Sequence, residues 1–422
     1  MAYAIGVILF ALGIVVSLAI HEAGHMFTAR AFGMKVSRYF IGFGPTLFSF
    51  RRGEVEYGLK AIPAGAFVKI DGMTPLEEDE EVAPADRHRV FWRKPVWQRT
   101  IVLVAGSVTH FILAFVVFWI AAAFVGVPNP KYADYAALDV PAKLGQVSTC
   151  VQKTFDPKHP NRCTAADLPG PAKKAGLRPG DRITAFNGTA TQTYGELADR
   201  IKQTKPGPAK VTYVRDGTTH TTTVTLVSAP RPTGGTAEDP TVSNVTLMGI
   251  VLQSPEQMGI SRTVTYGPIE AIPHTGQLYG QTAQAMAHAV TRIPSKIPNL
   301  VSSLAGNERN ANTPISVVGA SRLGGETVEL HAWWFFLMLL AQLNIFVGVF
   351  NLVPLLPLDG GHVAIAWFEK LRSWWASRRG RPDPGRVDYL KLMPITYAVV
   401  IVFGGLSVLT VAADIINPVT LN

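Results

Sequence analysis

Long apolar runs alternate with polar stretches along this chain, and four of the runs are long enough to cross a membrane. They occupy residues 2–26, 101–127, 332–356 and 392–416, and a spanning helix needs roughly 20 apolar residues. The pattern predicts a polytopic α-helical membrane protein with about four transmembrane helices. The first run could instead be a signal peptide, but no basic residue precedes Arg30 and no small-residue cleavage site ends the run.

The segment that follows the first apolar run has the alternation of β-strands. Residues 46–50 and 55–60 flank the turn residues 51–54, which predicts a hairpin. An apolar hairpin directly after a membrane helix indicates backbone that dips towards the bilayer, where protein or a water-filled cavity must cover it. The alternative is an ordinary cytoplasmic hairpin.

The longest polar segment, residues 128–331, predicts a separate α+β domain. Strand patterns at 182–186, 209–215 and 221–226 surround a helix pattern at 194–203. With the motif AGLRPGD this region resembles a bacterial PDZ domain, a class that binds peptides by adding a strand to a sheet edge. The alternative is a structural domain whose groove is vestigial.

The remaining parts of that segment have weaker patterns. Residues 228–245 are rich in Pro, Gly and Thr and indicate a loop or linker, while residues 270–325 indicate short amphipathic pieces at the membrane surface. The predicted organisation is therefore an N-terminal membrane region with the hairpin (1–127), an extracytoplasmic PDZ domain (128–255), an extracytoplasmic amphipathic or linker region (256–331) and a C-terminal membrane region (332–422).

Composition and charge agree with a membrane protein. Hydrophobic residues make up 48% of the 422 residues, charged residues only 16%, and the formal net charge is +9. The basic residues cluster beside apolar runs, in segments 27–100 and 370–391, so the charge does not indicate nucleic-acid binding. By the positive-inside rule these two segments are cytoplasmic. The termini and residues 128–331 then lie outside.

Two cysteines occur in the chain, Cys150 and Cys163, and both fall in the segment predicted to lie outside. An oxidising compartment permits a disulfide, which would close a short loop. The alternative is a pair of free thiols. We favour the disulfide.

The first apolar run ends in HEAGH, which is an HExxH motif. In a helix the spacing places His21 and His25 on one face, a geometry that suits Zn²⁺, with Glu22 beside them as general base. Ionisable side chains cost several kcal/mol inside a membrane helix, and a metal ion would give them a partner. Interfacial histidines without a metal are the alternative.

A catalytic zinc needs a third protein ligand, and Asp359 in NLVPLLPLDGGH is the candidate. The first and third spans run in the same direction by the topology above, so His25 and Asp359 emerge at the same membrane depth. Pro354 and Pro357 are expected to break the helix before Asp359. His362, in contrast, is expected to be a satisfied surface histidine and no ligand.

These motifs together resemble the bacterial site-2 protease family of intramembrane zinc metalloproteases. HEAGH, GFGP, a PDZ-like insert and NLVPLLPLDGG occur in that order and cover nearly the whole chain. The resemblance implies that His21, His25 and Asp359 bind Zn²⁺ and that Glu22 is the catalytic base. It also implies that Asn351 contributes to substrate binding.

The resemblance further implies what the protein acts on and where. The substrates would be single-span membrane proteins in the lipid bilayer, such as anti-sigma factors already trimmed by an upstream site-1-type protease, or signal-peptide remnants. Residues 42–69 match the hairpin that is thought to pair with the unwound substrate. The location would be the bacterial cell membrane, with the active site towards the cytoplasm.

Two departures from the family pattern affect local packing and not the metal ligands. The family's AGPxxN reads AGSVTH here, so Ser107 and His110 replace Pro and Asn, and its PxGG reads PAGA at residues 63–66. Two other functions remain as alternatives. A non-catalytic PDZ scaffold or sensor with a relict metal site would not need Glu22. A metal transporter would need polar residues throughout its spans, and residues 392–412 of the fourth run have none beyond a few hydroxyls and Tyr397.

Overall fold

The computed structural model describes residues 1–73, 83–132, 140–154, 163–235, 240–304, 309 and 313–421. Its α-helices are α1 (Ala2–Ala31), α2 (Val96–Ile120), α3 (Pro171–Lys174), α4 (Tyr194–Gln203), α5 (Ala271–Leu304), α6 (Val317–Glu329), α7 (Trp333–Asn351), α8 (Asp359–Arg378) and α9 (Met393–Ile416). Its strands are β1 (Val36–Arg52), β2 (Val55–Ile70), β3 (Val127–Pro128), β4 (Leu144–Val147), β5 (Cys150–Val151), β6 (Leu168–Pro169), β7 (Arg182–Phe186), β8 (Thr189–Ala190), β9 (Gly207–Arg215), β10 (Thr218–Gly235), β11 (Pro240–Leu247), β12 (Ile250–Leu252) and β13 (Thr263–Val264).

Four helices of the described chain are long and apolar enough to cross a membrane, which confirms the predicted number of spans. They are α1, α2 with its π-helical continuation to Val125, α7 and α9. The chain forms two compact units, one of residues 1–127 with 265–422 and one of residues 128–264. The four helices and the HExxH and LDG motifs all belong to the first unit.

Small residues let the helices of the first unit approach each other closely. A β-carbon at Gly24 of α1 would lie 2.8 Å from the carbonyl oxygen of Ala105 in α2. At Gly6, near the start of α1, it would lie 2.8 Å from the carbonyl oxygen of Gly324 in α6. Such contacts are the usual basis of helix packing in membranes, because burying apolar surface between helices contributes little free energy of association in lipid. They fix α1, which carries HEAGH, between α2 and α6.

The predicted hairpin is present and is longer than its sequence signal. Strands β1 and β2 pair from Arg52 and Val55, next to the turn, as far as Val36 and Ile70. Residues 38–41 pair with both 66–69 and 56–59, so the ribbon is folded back on itself. The GFGP segment at 42–45 lies inside β1, where register shifts accommodate it, and does not end the strand.

The second unit is built on a five-stranded sheet in the order β11-β10-β9-β7-β8, with β12 and β4 as a separate pair. Its core contains Leu144, Ile183, Leu197, Val211 and Leu226, all almost completely buried. The AGLRPGD motif forms a turn that is hydrogen-bonded to a strand. Arg215 donates two hydrogen bonds of 2.7 and 2.8 Å to the buried carboxylate of Asp181. This pair joins the turn at 178–181 to the end of β9.

Two secondary-structure predictions for residues 128–331, the segment predicted to lie outside, were wrong. Residues 228–235 and 240–245, expected as a linker, belong to the β10–β11 hairpin. Pro230 and Pro232 are tolerated because this half of β10 has a partner on one side only, its other half being paired with β9. Residues 271–304, expected as short pieces, form the single 34-residue helix α5 despite Pro294 and Pro298.

Candidate active site

The HEAGH residues lie in the interior of α1 and not at its end. The helix continues to Ala31, so His21, Glu22 and His25 have regular helical spacing and face the inside of the first unit. Both imidazoles are buried, with 6% and 3% of their surface exposed. One ligand atom from each of these three residues lies within 4.8 Å of the other two, a spacing that could hold a metal ion.

Asp359 is the first residue of α8, and two glycines allow the chain to turn there. Helix α7 ends at Asn351, and the proline-containing segment that follows is not helical, as predicted. A β-carbon at Gly360 would lie 2.3 Å from the carbonyl oxygen of Leu352, and one at Gly361 would lie 2.6 Å from the backbone of Leu355. Only glycine fits at these positions, so the GG of LDGGH permits the turn that directs Asp359 inward.

The carboxylate of Asp359 meets the two imidazoles. Its Oδ2 atom lies 3.3 Å from Nε2 of His21 and 3.5 Å from Nε2 of His25, and the two Nε2 atoms are 3.0 Å apart. Three ligands of a tetrahedral zinc, each bonded at roughly 2.0–2.2 Å, lie about 3.3 Å from one another. Oδ2 has no hydrogen-bond partner within the described residues. The donor set and its spacing therefore fit a zinc ion.

Helix α2 fixes the orientation of His25. Nδ1 of His25 donates a hydrogen bond of 2.7 Å to the carbonyl oxygen of Val102, which leaves the lone pair on Nε2 free to bind a metal. The helix approaches so closely that a β-carbon at Gly106 would lie 2.5 Å from Nε2 of His25 and from Cε1 of His21. Gly106 therefore leaves the space in which the imidazoles converge.

The hairpin positions the carboxylate of Glu22. The backbone N–H of Val68 in β2 donates a hydrogen bond of 3.0 Å to Oε2 of Glu22. The hydroxyl of Tyr39 in β1 donates a hydrogen bond of 2.7 Å to the carbonyl oxygen of Ala19, one turn before Glu22. The hairpin and the part of α1 that carries Glu22 are thus held together.

His110 is a buried polar neighbour of the cluster. Its Nδ1 atom lies 2.8 Å from Oδ1 of Asn344, whose amide nitrogen donates to the carbonyl oxygen of Leu340. The Asn344 oxygen must therefore accept, so His110 carries its proton on Nδ1. Its ring centroid lies 5.0 Å from that of His21. The residue that replaces the family's Asn thus packs against a histidine of the HExxH motif.

The remaining sequence candidates lie outside this cluster. Asn351 is the last residue of α7 and half-buried, and within the described residues it forms no hydrogen bond with His21, His25 or Asp359. His362 follows Asp359 by one turn and lies 3.5 Å from the hydroxyl of Tyr389. Burial lowers the pKa of His362 and raises that of Tyr389 to about 12. In the second unit, Cys150 and Cys163 are joined by a disulfide.

Comparison with known proteins connects this geometry to a family. Residues 9–389 match Peptidase family M50. The chain belongs to this family. It is 42% identical to zinc metalloprotease Rip1 of Mycolicibacterium smegmatis and 39% identical to zinc metalloprotease Rip1 of Mycobacterium tuberculosis, in both cases over 100% of each chain. It is 27% identical to protease RseP of Yersinia pestis, over 93% of this chain and 96% of that protein.

The family match confirms the resemblance to the site-2 proteases. This member of family M50 is an intramembrane zinc metalloprotease, and it is a bacterial membrane protein that acts on membrane-protein substrates in the bilayer. Zinc as the cofactor agrees with the ligand atoms that converge at His21 and His25.

The structure adds four contacts at this site that the sequence did not predict. Two are backbone groups, the carbonyl of Val102 and the N–H of Val68, which carry no signal in any side-chain pattern. The third is Gly106, which follows Ala105 in an apolar run; small residues in such runs permit close helix packing but do not identify the partner helix. The fourth is Asn344, an amide inside the apolar helix α7, where polar side chains usually have a hydrogen-bond partner.

Proposed function

We propose that His21, His25 and Asp359 bind the zinc ion and that Glu22 is the general base in cleavage of a peptide bond within the membrane. The observation that carries the proposal is the convergence of three buried ligand atoms at 3.0–3.5 Å from one another. Two of the ligands come from a spanning helix, α1. The reaction therefore takes place beside helices that contact lipid.

The roles of the side chains follow from their chemistry. Zinc supplies Lewis-acid catalysis for peptide hydrolysis when it is bound. Glu22 accepts the proton of the attacking water and returns it to the leaving amine nitrogen. Val68 holds one carboxylate oxygen of Glu22 by its N–H, which keeps the base in place through both proton transfers. His25 keeps its ligand tautomer through the bond to Val102.

The substrates we propose are single-span membrane proteins whose transmembrane segment unwinds locally. A peptide bond inside a helix is shielded, and an extended segment can add to the edge of a sheet. The β1–β2 hairpin, which contacts Glu22, supplies such an edge. Anti-sigma factors already trimmed by an upstream site-1-type protease, and signal-peptide remnants, are the substrate classes that the family resemblance implies. Asn351 is proposed to contact the substrate.

The topology we propose has both termini and the second unit outside the cell membrane. Segments 27–100 and 370–391 are basic and therefore cytoplasmic, which places the zinc site towards the cytoplasm. The same assignment places the disulfide between Cys150 and Cys163 in an oxidising compartment, where such bonds persist.

We propose that the second unit is a PDZ domain. Its helix α4 lies beside a groove of about 520 Å³ that is lined by Tyr194, Ala198 and Ile201 of α4 and by residues 245–251. A groove between a helix and strand residues is the kind of site to which an extended peptide can add. A newly exposed end of a trimmed substrate is the ligand class that fits it.

The alternative is a scaffold with a relict metal site, and cleavage products separate it from a protease. Membrane proteomes of cells that express the wild-type protein or the Glu22→Gln variant would be compared for fragments of single-span proteins. The proposal predicts products cut inside the transmembrane segment in wild-type cells, with the trimmed precursors accumulating in variant cells. Identical fragment patterns in both would refute it.

A further inference from the structure

Helix α8 has an exposed apolar stripe that the described chain contacts at one edge, where the indole N–H of Trp367 donates a hydrogen bond to the hydroxyl of Thr100 in α2. Five large side chains recur along it at helical spacing and are between 46% and 59% exposed: Trp367, Phe368, Leu371, Trp374 and Trp375. Contiguous exposed apolar surface of this kind indicates an interaction site. The stripe lies outside the zinc cluster, although α8 begins at Asp359.

The opposite side of α8 is attached to the first unit. Glu369 forms an ion pair of 3.1 Å with Arg99, at the start of α2, and both side chains are largely buried. The hydroxyl of Ser373 donates a hydrogen bond of 2.8 Å to Asp383. These contacts fix the rotation of the helix about its axis, so the apolar stripe necessarily faces outward.

Basic side chains border the stripe and stack on its aromatic rings. The guanidinium carbon of Arg378 lies 4.2 Å from the ring centroid of Trp374, and that of Arg379 lies 4.5 Å from that of Trp375. Neither arginine forms an ion pair with a carboxylate in the part of the chain that the structure describes. Both can therefore donate hydrogen bonds to an anionic group outside the protein.

We propose that α8 lies in the interface of the membrane and binds anionic phospholipid headgroups. The helix holds Asp359, Glu369, Lys370 and two arginines, and Arg379 follows it directly, which is too many charges for a span. One apolar face with Trp and Phe beside arginines is typical of helices that lie along the boundary between headgroups and acyl chains. The stripe enters the acyl boundary, and Arg378 and Arg379 bind headgroup phosphates.

This placement has a consequence for the zinc site. The first residue of α8 is Asp359, and the glycines after it fit tightly against residues 352–356. Seating α8 in the headgroup region therefore sets the level of Asp359 relative to the bilayer. The leaflet in contact with α8 therefore helps to position Asp359, the third zinc ligand of the proposed function.

The position of the stripe can be measured with spin labels in the full-length protein in lipid nanodiscs. The two native cysteines are joined in a disulfide, so a cysteine introduced by Leu371→Cys can be labelled alone. Ser377→Cys, an exposed position on the polar side of the same helix, is the matched control. The collision rates with oxygen, which concentrates in lipid, and with a water-soluble nickel chelate are then compared.

The proposal predicts that the label at 371 favours oxygen over the chelate and that the label at 377 does the reverse. Equal accessibility of both positions to the chelate would place α8 in water and overturn the proposal. Shielding of position 371 from both reagents would mean that a second protein surface, and not lipid, covers the stripe, and would overturn it as well.

Recognition of headgroup charge is tested separately, by native mass spectrometry of the detergent-solubilised protein titrated with phosphatidylglycerol. Each basic residue near a membrane surface contributes about fivefold to the binding of anionic lipid. Arg378→Gln with Arg379→Gln is therefore expected to weaken phosphatidylglycerol binding by more than tenfold. Lys202→Gln with Lys210→Gln, two exposed basic residues of the second unit, is the control. Equal binding by the two double variants would contradict the proposed role of the arginines.

Discussion

The Oδ2 atom of Asp359 lies 3.3 Å from Nε2 of His21, although the two residues lie near opposite ends of the chain. The contact joins the start of α8 to the interior of α1, and Nε2 of His25 lies near the same carboxylate oxygen. The bond from Nδ1 of His25 to Val102 leaves Nε2 of His25 as an acceptor, and the Asp359 carboxylate oxygen beside it is an acceptor as well. A cation between such atoms is the arrangement that the proposed zinc site requires, and each part of that proposal can be tested.

Replacing the proposed base is expected to stop catalysis without loss of zinc. Glu22→Gln keeps the shape of the side chain and its bond from Val68 but cannot accept a proton. General-base catalysis typically contributes a factor of 10²–10⁴, so cleavage of a transmembrane peptide in nanodiscs should fall by at least about 100-fold. Zinc content, measured by mass spectrometry of the metal, should stay as in the wild type. Wild-type activity in this variant would contradict the assigned role of Glu22.

Filling the space at Gly106 is expected to disturb the zinc ligands. The added methyl group of Gly106→Ala would lie 2.5 Å from Nε2 of His25, so α2 or the imidazoles must move. Zinc affinity and cleavage should both fall by tenfold or more. Gly404→Ala in α9 is the matched control, because an added β-carbon there would have no other group of the described residues within 4 Å, and the same change should be silent. Equal zinc affinity in the two variants would show that α2 does not constrain the site.

The tip of the hairpin is expected to depend on the ionised form of Glu54. Two hydrogen bonds from Arg89, of 2.8 and 2.7 Å, hold this carboxylate and lower its pKa to about 2 from the ordinary 4.5. A carboxylate with a lowered pKa stabilises the fold above its unfolded pKa, and the effect is lost as the pH falls through the folded value. The anchor should therefore persist from pH 7 to pH 4 and weaken only towards pH 2.

A spin label at Arg51→Cys, beside the turn, reports this anchor through its mobility. In the otherwise wild-type protein the mobility should be the same at pH 7 and pH 4. Adding Glu54→Gln should increase it at both values, whereas Glu56→Gln, whose nearest ion pair is a 3.9 Å contact with Arg38, should not. A tip as rigid in the Glu54→Gln protein as in the wild type would show that Arg89 contributes nothing to its position.

The sequence was sufficient for the parts of the fold that repeat or that need special residues. Apolar runs predicted the four spans, HExxH predicted two side chains on one helix face, and Pro354 and Pro357 correctly predicted the break before Asp359. These features are local, because helical periodicity and proline geometry act within a few residues.

Features that depend on distant partners were not predictable from the sequence. The hairpin continues through GFGP because residues 38–41 gain partners on both sides, which no local pattern reveals. Strands β10 and β11 contain prolines, which indicate a linker when only the sequence is considered. The sheet tolerates the prolines of β10 because that part of the strand is paired on one side only. The backbone groups of Val102 and Val68 belong to the site through packing alone.

The second unit is expected to act as a filter for substrate size. Residues 128–264 are inserted between the second and third spans, and the proposed topology places them on the side of the membrane opposite to the zinc. Replacing them with a short linker, in cells without the upstream protease, should let the enzyme cut untrimmed substrates. Immunoblots of the substrate would detect the products. A folded, zinc-loaded deletion variant that still requires prior trimming would contradict this role.

The central claim, that Asp359 completes the zinc site of His21 and His25, is tested most directly by zinc X-ray absorption together with metal content. The wild-type protein should bind one zinc with two imidazole ligands and oxygen ligands at roughly 2.0–2.2 Å. Asp359→Ala should lower zinc affinity by tenfold or more and change the oxygen shell, while Asn351→Ala, at the end of the preceding helix, should leave both unchanged. An Asp359→Ala protein with wild-type zinc affinity and an unaltered spectrum would contradict the account.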